Sequence, residues 1–282
     1  MGLQIDAETG VGATVTGVDI GNLSGDDLDA LKAAFAEHGV LYFRDQDLSE
    51  AGHIAFAERW GAININRFFA AHPEHPEIAL VAKEPDQTSN IGGGWHTDHS
   101  YDVEPALGSI LVARELPETG GDTLFASMYA AYATLDQQTK AEIDGLNAVH
   151  SAKHIFGASP KSFYSKSDTD KGERIGNSGA ADEMTDVIHP VVITHPLSGK
   201  KALYVNPAFT IRFEGKTQEE SQPLLAKLYA HCFSGDFHHR LKWETGTVAF
   251  WDNRATWHWA LNDYQGQRRV MHRITVEGGP LN

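Results

Sequence analysis

The chain has 282 residues, 41% hydrophobic and 22% charged, an ordinary balance for a globular protein and enough for one large domain or two small ones. Its formal charge of −15, from 23 basic and 38 acidic residues, excludes nonspecific nucleic-acid binding, which runs on positive charge. Nothing approaches the roughly 18 uninterrupted apolar residues of a membrane span, and the N-terminus lacks signal-peptide features. The single cysteine, Cys232, forbids an intrachain disulfide and suits a reducing cytoplasm.

In chain order, "ATVTGVDI" (13–20) reads as a strand, rich in β-branched residues. Ser24 is placed to cap a helix whose apolar positions Leu28, Leu31, Ala34 and Phe35 recur at helical spacing. "VLYFRD" (40–45) is a second strand. Residues 49–60 place His53, Phe56, Ala57 and Trp60 on one helical face, with His53 at the edge of the core. "EIALVAKE" (77–84) is strand-like and precedes a glycine turn.

Beyond residue 106 come short strands: "LGSILVARE", "DTLFAS", "PVVITHP", "KALYVN", "FTIRFEG", "TVAFWDN" and "RRVMHRITVEG". Helices interrupt them at about 127–144 and 217–233, the second holding Cys232. Many short strands with few helices and no βαβ rhythm predict a mainly β fold with flanking helices around a jelly-roll core. No repeat or linker composition divides the chain, so residues 1–282 form one domain. The polar segment 157–186 is too long for an ordinary connection and reads as a surface loop or a lid over bound substrate. "QEE" (218–220) and "HHR" (238–240) read as solvated surface.

The chemistry concentrates in "GGGWHTDH" (92–99). In a strand, His96 and Asp98 share a face while Thr97 and His99 point away. An H-x-D tripeptide alone is weak evidence for a metal. The best partner is His258, between two tryptophans ahead of the last strand, where Arg269, Met271 and Arg273 share a face by the same alternation. Two arginines on a core strand need anions, from internal acids or from a bound carboxylate, sulfonate or phosphate. Two histidines and a carboxylate form the facial triad of non-haem Fe(II) oxygenases.

The chain resembles the taurine dioxygenase/2,4-D dioxygenase family of Fe(II)- and 2-oxoglutarate-dependent oxygenases over nearly its whole length. The carriers are "WHTDHSY", "PETGGDTLFASMYAAYATL", "HPVVITHPLSGKKALYVNPAFTIRFEG" and "WDNRATWHWALNDYQGQRRVMHRIT". The resemblance implies a double-stranded β-helix fold, with His96, Asp98 and His258 as catalytic iron ligands. It implies Arg269 and Thr123 as the grip on 2-oxoglutarate, dioxygen as oxidant, and succinate and CO2 as co-products. Arg273 matches the arginine that binds the substrate anion. Phe156, Phe209 and Tyr101 fall at aromatic substrate positions, and His99 where a backbone N–H meets that anion.

The chain departs from the taurine enzymes at three places. Asn66 and Phe69 stand where they have His and Tyr, and Gly92 where they have Asn. A small anionic organic substrate with a roomier, more apolar body than taurine is therefore expected: an alkyl sulfate, a sulfonate or an aryloxyalkanoate. The competing readings are taurine dioxygenase proper, a zinc hydrolase using the same ligands, and a catalytically silent binding protein. No nucleic acid or membrane partner is expected, and the assembly is expected to be a homo-oligomer, dimer or tetramer, in the cytoplasm.

Overall fold

A computed structural model describes residues 2–164 and 178–281. Its strands are β1 Gln4–Ala7, β2 Ala13–Thr16, β3 Val40–Phe43, β4 Ile63–Asn64, β5 Ala79–Lys83, β6 Gly108–Glu115, β7 Thr123–Ser127 and β8 Asn147–His150. They continue with β9 Val187–Pro190, β10 Val192–Thr194, β11 Lys201–Leu203, β12 Thr210–Phe213, β13 His238–Leu241, β14 Val248–Asp252, β15 Thr256–Ala260 and β16 Arg269–Val276. Helices α1 Gly25–His38, α2 Glu50–Glu58, α3 Met128–Thr134, α4 Gln137–Ile143, α5 Lys153–Phe156 and α6 Gln218–Ser234 flank them.

The large sheet runs β1-β2-β3-β14-β6-β16-β4, with β5 also on β16. The sheet β13-β7-β15 packs on it, and the sheets β12-β8-β9 and β10-β11 complete the jelly roll. Between the facing sheets, Tyr42, Leu111, Phe125, Trp251 and Met271 pack as one core cluster. A second cluster joins the large sheet to α1 and α2 through Phe35, Phe43, Phe56 and Phe250. Ser24 caps α1 by accepting from Asp27 N–H, and the helix buries Leu28, Leu31, Ala34 and Phe35 as its spacing predicts.

Several local expectations change. The 13–20 strand ends at Thr16, because Gly17 turns with φ +72°. The helix predicted over 127–144 breaks at Leu135, where Asp136 caps a new helix by accepting from Thr139 N–H. His53 lies in the core rather than at its edge, with no measurable exposure. "HHR" is part of β13: His238 Nε2 lies 2.7 Å from Cys232 O and His239 stacks on Tyr42. "QEE" is exposed, and Glu220 closes a capping box with Thr217. Of the predicted 157–186 loop, residues 165–177 lie outside the described residues; on its flanks Asp182 accepts from Ala158 N–H at 2.8 Å. No helix among the described residues is long and apolar enough to cross a membrane.

Candidate active site

His96 and Asp98 converge, though not by strand alternation. Only His96 pairs, in an isolated antiparallel bridge to His258 on β15. His96 N–H donates to His258 O at 3.1 Å and His258 N–H to His96 O at 2.8 Å. That pair of hydrogen bonds fixes the two imidazoles side by side, ring centroids 4.1 Å apart. The chain then turns. Thr97 Oγ1 donates to Asn253 O, and His99 adopts φ +60°, one of two non-glycine residues with positive φ among those described. This turn, rather than a pleat, brings Asp98 back beneath the imidazoles.

Asp98 Oδ1 lies 3.6 Å from His96 Nε2, and Oδ2 lies 3.7 Å from His258 Nε2. One donor atom from each of the three falls within 4.8 Å of the others, a span one metal ion can bridge. His96 Nδ1 sits 2.8 Å from Gly94 O, which holds its proton there and leaves the Nε2 lone pair available. Burial alone would raise the Asp98 carboxyl, but Arg273, His258, His96 and His99 together pull it below the usual carboxylate range. Burial, and then the neighbouring His96, hold His258 well below the ordinary imidazole value. A carboxylate and a neutral imidazole are the forms a metal requires.

Gly92 (φ +78°) supports the cluster from the glycine turn. A Cβ there would stand 3.3 Å from His96 Cε1.

Arg269 and Arg273 point from β16 into the same cavity, about 390 Å³, lined also by all three donors and Thr123. Arg269 is 4% exposed, and its Nε and Nη2 have no hydrogen-bond partner among the described residues. Burial lowers its pKa, opposed by Tyr264 and Asp122. Buried guanidinium nitrogens without acceptors signal a missing anion. Gly121 (φ +72°) makes room: a Cβ there would approach Arg269 Cδ to 3.2 Å. Thr123 Oγ1 accepts from Trp243 Nε1 at 2.9 Å, and the Trp243 ring lies 5.8 Å from the Arg269 guanidinium.

Arg273 donates from Nη1 to Asp98 Oδ2 at 3.2 Å, and its guanidinium lies 4.7 Å from the Phe69 ring centre. Its Nε is buried without a partner among the described residues.

Phe69, Phe156 and Phe209 line the cavity as well. Three other sequence candidates stand one layer back. Tyr101 meets Phe209 edge-on at 4.7 Å, and His99 Nδ1 lies 2.7 Å from Asp102 Oδ2. Asn66 Oδ1 accepts from Phe68 and Phe69 N–H, both at 2.9 Å, and so shapes the turn carrying Phe69.

Sequence reasoning missed the supports. Ser109 Oγ reaches Asp98 Oδ2 at 3.4 Å and receives Asn253 Nδ2 at 3.4 Å. Beside them Asp252, fully buried, accepts from Arg254 Nε and Nη2 and lies 2.9 Å from His195 Nε2. The adjacency of Asp252, Asn253 and Arg254 was a signal for this network; Ser109 gave none. A second trio, Glu50, His72 and His272, also brings donor atoms within 4.8 Å of one another. There Arg114 already supplies the cation, with Nε donating to His272 Nδ1 at 3.1 Å and Nη2 3.6 Å from Glu50.

A jelly roll with this donor set facing a buried, unsatisfied arginine points to one class, the 2-oxoglutarate-dependent dioxygenases. Comparison with known proteins makes the assignment specific. The model of the taurine catabolism dioxygenase TauD, TfdA family matches residues 4–275, and the chain belongs to that family. It is 34% identical to an alkylsulfatase of Acinetobacter baylyi, over 98% of this chain and 85% of that protein. It is 32% identical to an alpha-ketoglutarate-dependent (that is, 2-oxoglutarate-dependent) sulfate ester dioxygenase of Pseudomonas putida, over 95% of this chain and 87% of the other. The crystal structure of a taurine dioxygenase from Burkholderia xenovorans superposes with a TM-score of 0.81 at 31% identity, covering 99% of this chain and 92% of that one.

Proposed function

We propose that this dioxygenase hydroxylates a small organic sulfate ester or sulfonate at the carbon bearing the anionic group. The observation that carries the reading is one cavity holding the His96–Asp98–His258 donors together with two buried arginines, of which Arg269 Nε and Nη2 and Arg273 Nε have no acceptor among the described residues.

In this reading His96 Nε2, Asp98 and His258 Nε2 hold Fe(II), and Arg269 Nε and Nη2, with the Thr123 hydroxyl, take the distal carboxylate of 2-oxoglutarate. The iron and 2-oxoglutarate, when bound, supply the oxidising chemistry: dioxygen is consumed, succinate and CO2 form, and a substrate C–H becomes C–OH. Arg273 keeps Asp98 ionised through Nη1 and offers Nε to the substrate anion, assisted by the backbone N–H of His99. Phe69, Phe156 and Phe209 confine the substrate body and exclude water, with Tyr101 packed on the Phe156 and Phe209 rings and Asn66 holding the turn that carries Phe69. A hydroxyl on the carbon of a sulfate ester makes the ester collapse, releasing sulfate and a proton and leaving an aldehyde.

Taurine fits poorly. Asn66 spends its carbonyl on backbone N–H groups, Phe69 has no hydroxyl, and Gly92 has no side chain to meet an amine. The reading extends to a cytoplasmic setting and a homo-oligomer. For the last, the exposed Ile65, Val103 and Ile188 offer apolar surface, and light scattering reads the assembly.

The test is succinate and sulfate formation from short alkyl sulfates, with Fe(II), 2-oxoglutarate and air. Succinate formation stimulated by the sulfate ester and lost in Arg273→Ala supports the reading. Metal-dependent sulfate release without oxygen contradicts it.

A further inference from the structure

The cavity is asymmetric in its chemistry. Its charged and metal-ligating side chains are His96, Asp98, His258, Arg269 and Arg273, all from the donor cluster or from β16. The rest of its wall is apolar apart from the glycine turn, Thr123 and Tyr164. Tyr164 is engaged there, its hydroxyl accepting from Gly92 N–H at 3.2 Å. A polar or charged tail entering this part would lose water without gaining partners, at a large penalty.

Two members of the wall have an unusual position. Phe163 and Phe233 line the cavity and are each 48% exposed, so the apolar lining continues to the protein surface. They come from separate parts of the chain, Phe163 beyond α5 and Phe233 in the last turn of α6. Phe233 is steadied by Trp257, ring centroids 6.2 Å apart, on the same strand as His258. The aromatic stack behind the opening is ordered: Phe156 lies 5.6 Å from Tyr164 with their planes 7° apart. An apolar ligand running along this lining would also remove the exposed face of Phe233 from water.

We infer that the substrate carries an extended apolar tail that runs from Arg273 along the aromatic wall and leaves between Phe163 and Phe233, so that Phe233 sets the preferred tail length. This rests on the reading of Arg273 as the anchor for the anionic head. Phe233 acts on specificity alone, since it touches the far end of the substrate and none of the reacting atoms. Head and tail are then read by different physics: an ion pair at one end, removal of apolar surface from water at the other.

The experiment is a series of linear alkyl sulfates from ethyl to decyl, each below its micelle concentration, with kcat/KM measured from succinate. The same series is titrated calorimetrically into the anaerobic holoenzyme with 2-oxoglutarate. Affinity and kcat/KM should rise about fourfold per methylene, the equivalent of about 0.8 kcal/mol, and level off once the tail has passed the rim. In Phe233→Ser the rise should stop several carbons earlier, while the ethyl ester and the KM for 2-oxoglutarate stay unchanged; Phe233→Leu should restore most of the range. A flat dependence on chain length with turnover intact overturns the inference and leaves the proposed function standing. An equal loss at every length in Phe233→Ser also overturns it, since that marks a structural role. Binding that rises with chain length but yields no succinate upholds the tail site and overturns the proposed reaction.

Discussion

Arg269→Met separates co-substrate binding from folding, because the two should move in opposite directions. In the free protein the Arg269 guanidinium is buried with two nitrogens unsatisfied, while its aliphatic stem packs beside Gly121. Methionine keeps most of that packing and removes the buried charge, which should stabilise the free protein by about 1–3 kcal/mol. At roughly 2–4 °C per kcal/mol for a chain of this size, its Tm should rise by roughly 2–12 °C. The same change removes two charge-assisted hydrogen bonds to the distal carboxylate, each worth about 1.5–3 kcal/mol, so 2-oxoglutarate affinity should fall by on the order of 10²–10⁴. Thermal melts with and without 2-oxoglutarate read both effects. The wild type should gain about 2.7 kcal/mol at a hundredfold excess over Kd, and the variant essentially nothing at that concentration. A variant less stable than wild type, with its 2-oxoglutarate-dependent gain intact, would refute the reasoning.

Gly92→Asn restores the taurine-enzyme residue but forces a side chain onto φ +78° and within 3.3 Å of His96 Cε1. It should cost about 1 kcal/mol, seen as about fivefold weaker metal binding in calorimetry, without conferring taurine turnover. Asp252→Ala leaves Arg254 and His195 buried around a lost carboxylate and should cost about 3–5 kcal/mol in urea denaturation. His53 and His150 are fully buried, and burial lowers each to about 3, so both fold neutral. Because their folded values lie below the unfolded one near 6.5, the unfolded chain binds more protons as pH falls. Their contribution is complete above about pH 6.5 and declines toward pH 3, with a slope approaching about 2.7 kcal/mol per pH unit for the pair. His53→Phe should flatten that slope in denaturation measured at pH 7, 6 and 5, and an unchanged slope would count against this source.

How legible the molecule was in its sequence depended on whether local rules agreed with tertiary packing. The α1 spacing was decisive because one face meets the core for the whole helix. Residues 127–144 have high helix propensity throughout and so read as one helix, while Asp136 caps a second helix once Leu135 turns inward. His96 and Asp98 do converge, but not for the reason that strand spacing supplies. Strand alternation predicts convergence, yet the residues converge through a turn at positive φ anchored by Thr97 and Asn253. The β16 alternation did hold, placing Arg269 and Arg273 on the cavity face and His272 on the other, with Arg114. Ser109 had no signal, since its position against Asp98 comes from sheet closure alone.

The most direct test of the central claim is the oxygen and 2-oxoglutarate dependence of sulfate release from an alkyl sulfate by the iron-loaded protein. Equal amounts of sulfate and aldehyde, with at least as much succinate, should form in air with 2-oxoglutarate, and none when either is withheld. Sulfate release that persists without oxygen and 2-oxoglutarate, giving an alcohol instead of an aldehyde, would contradict it.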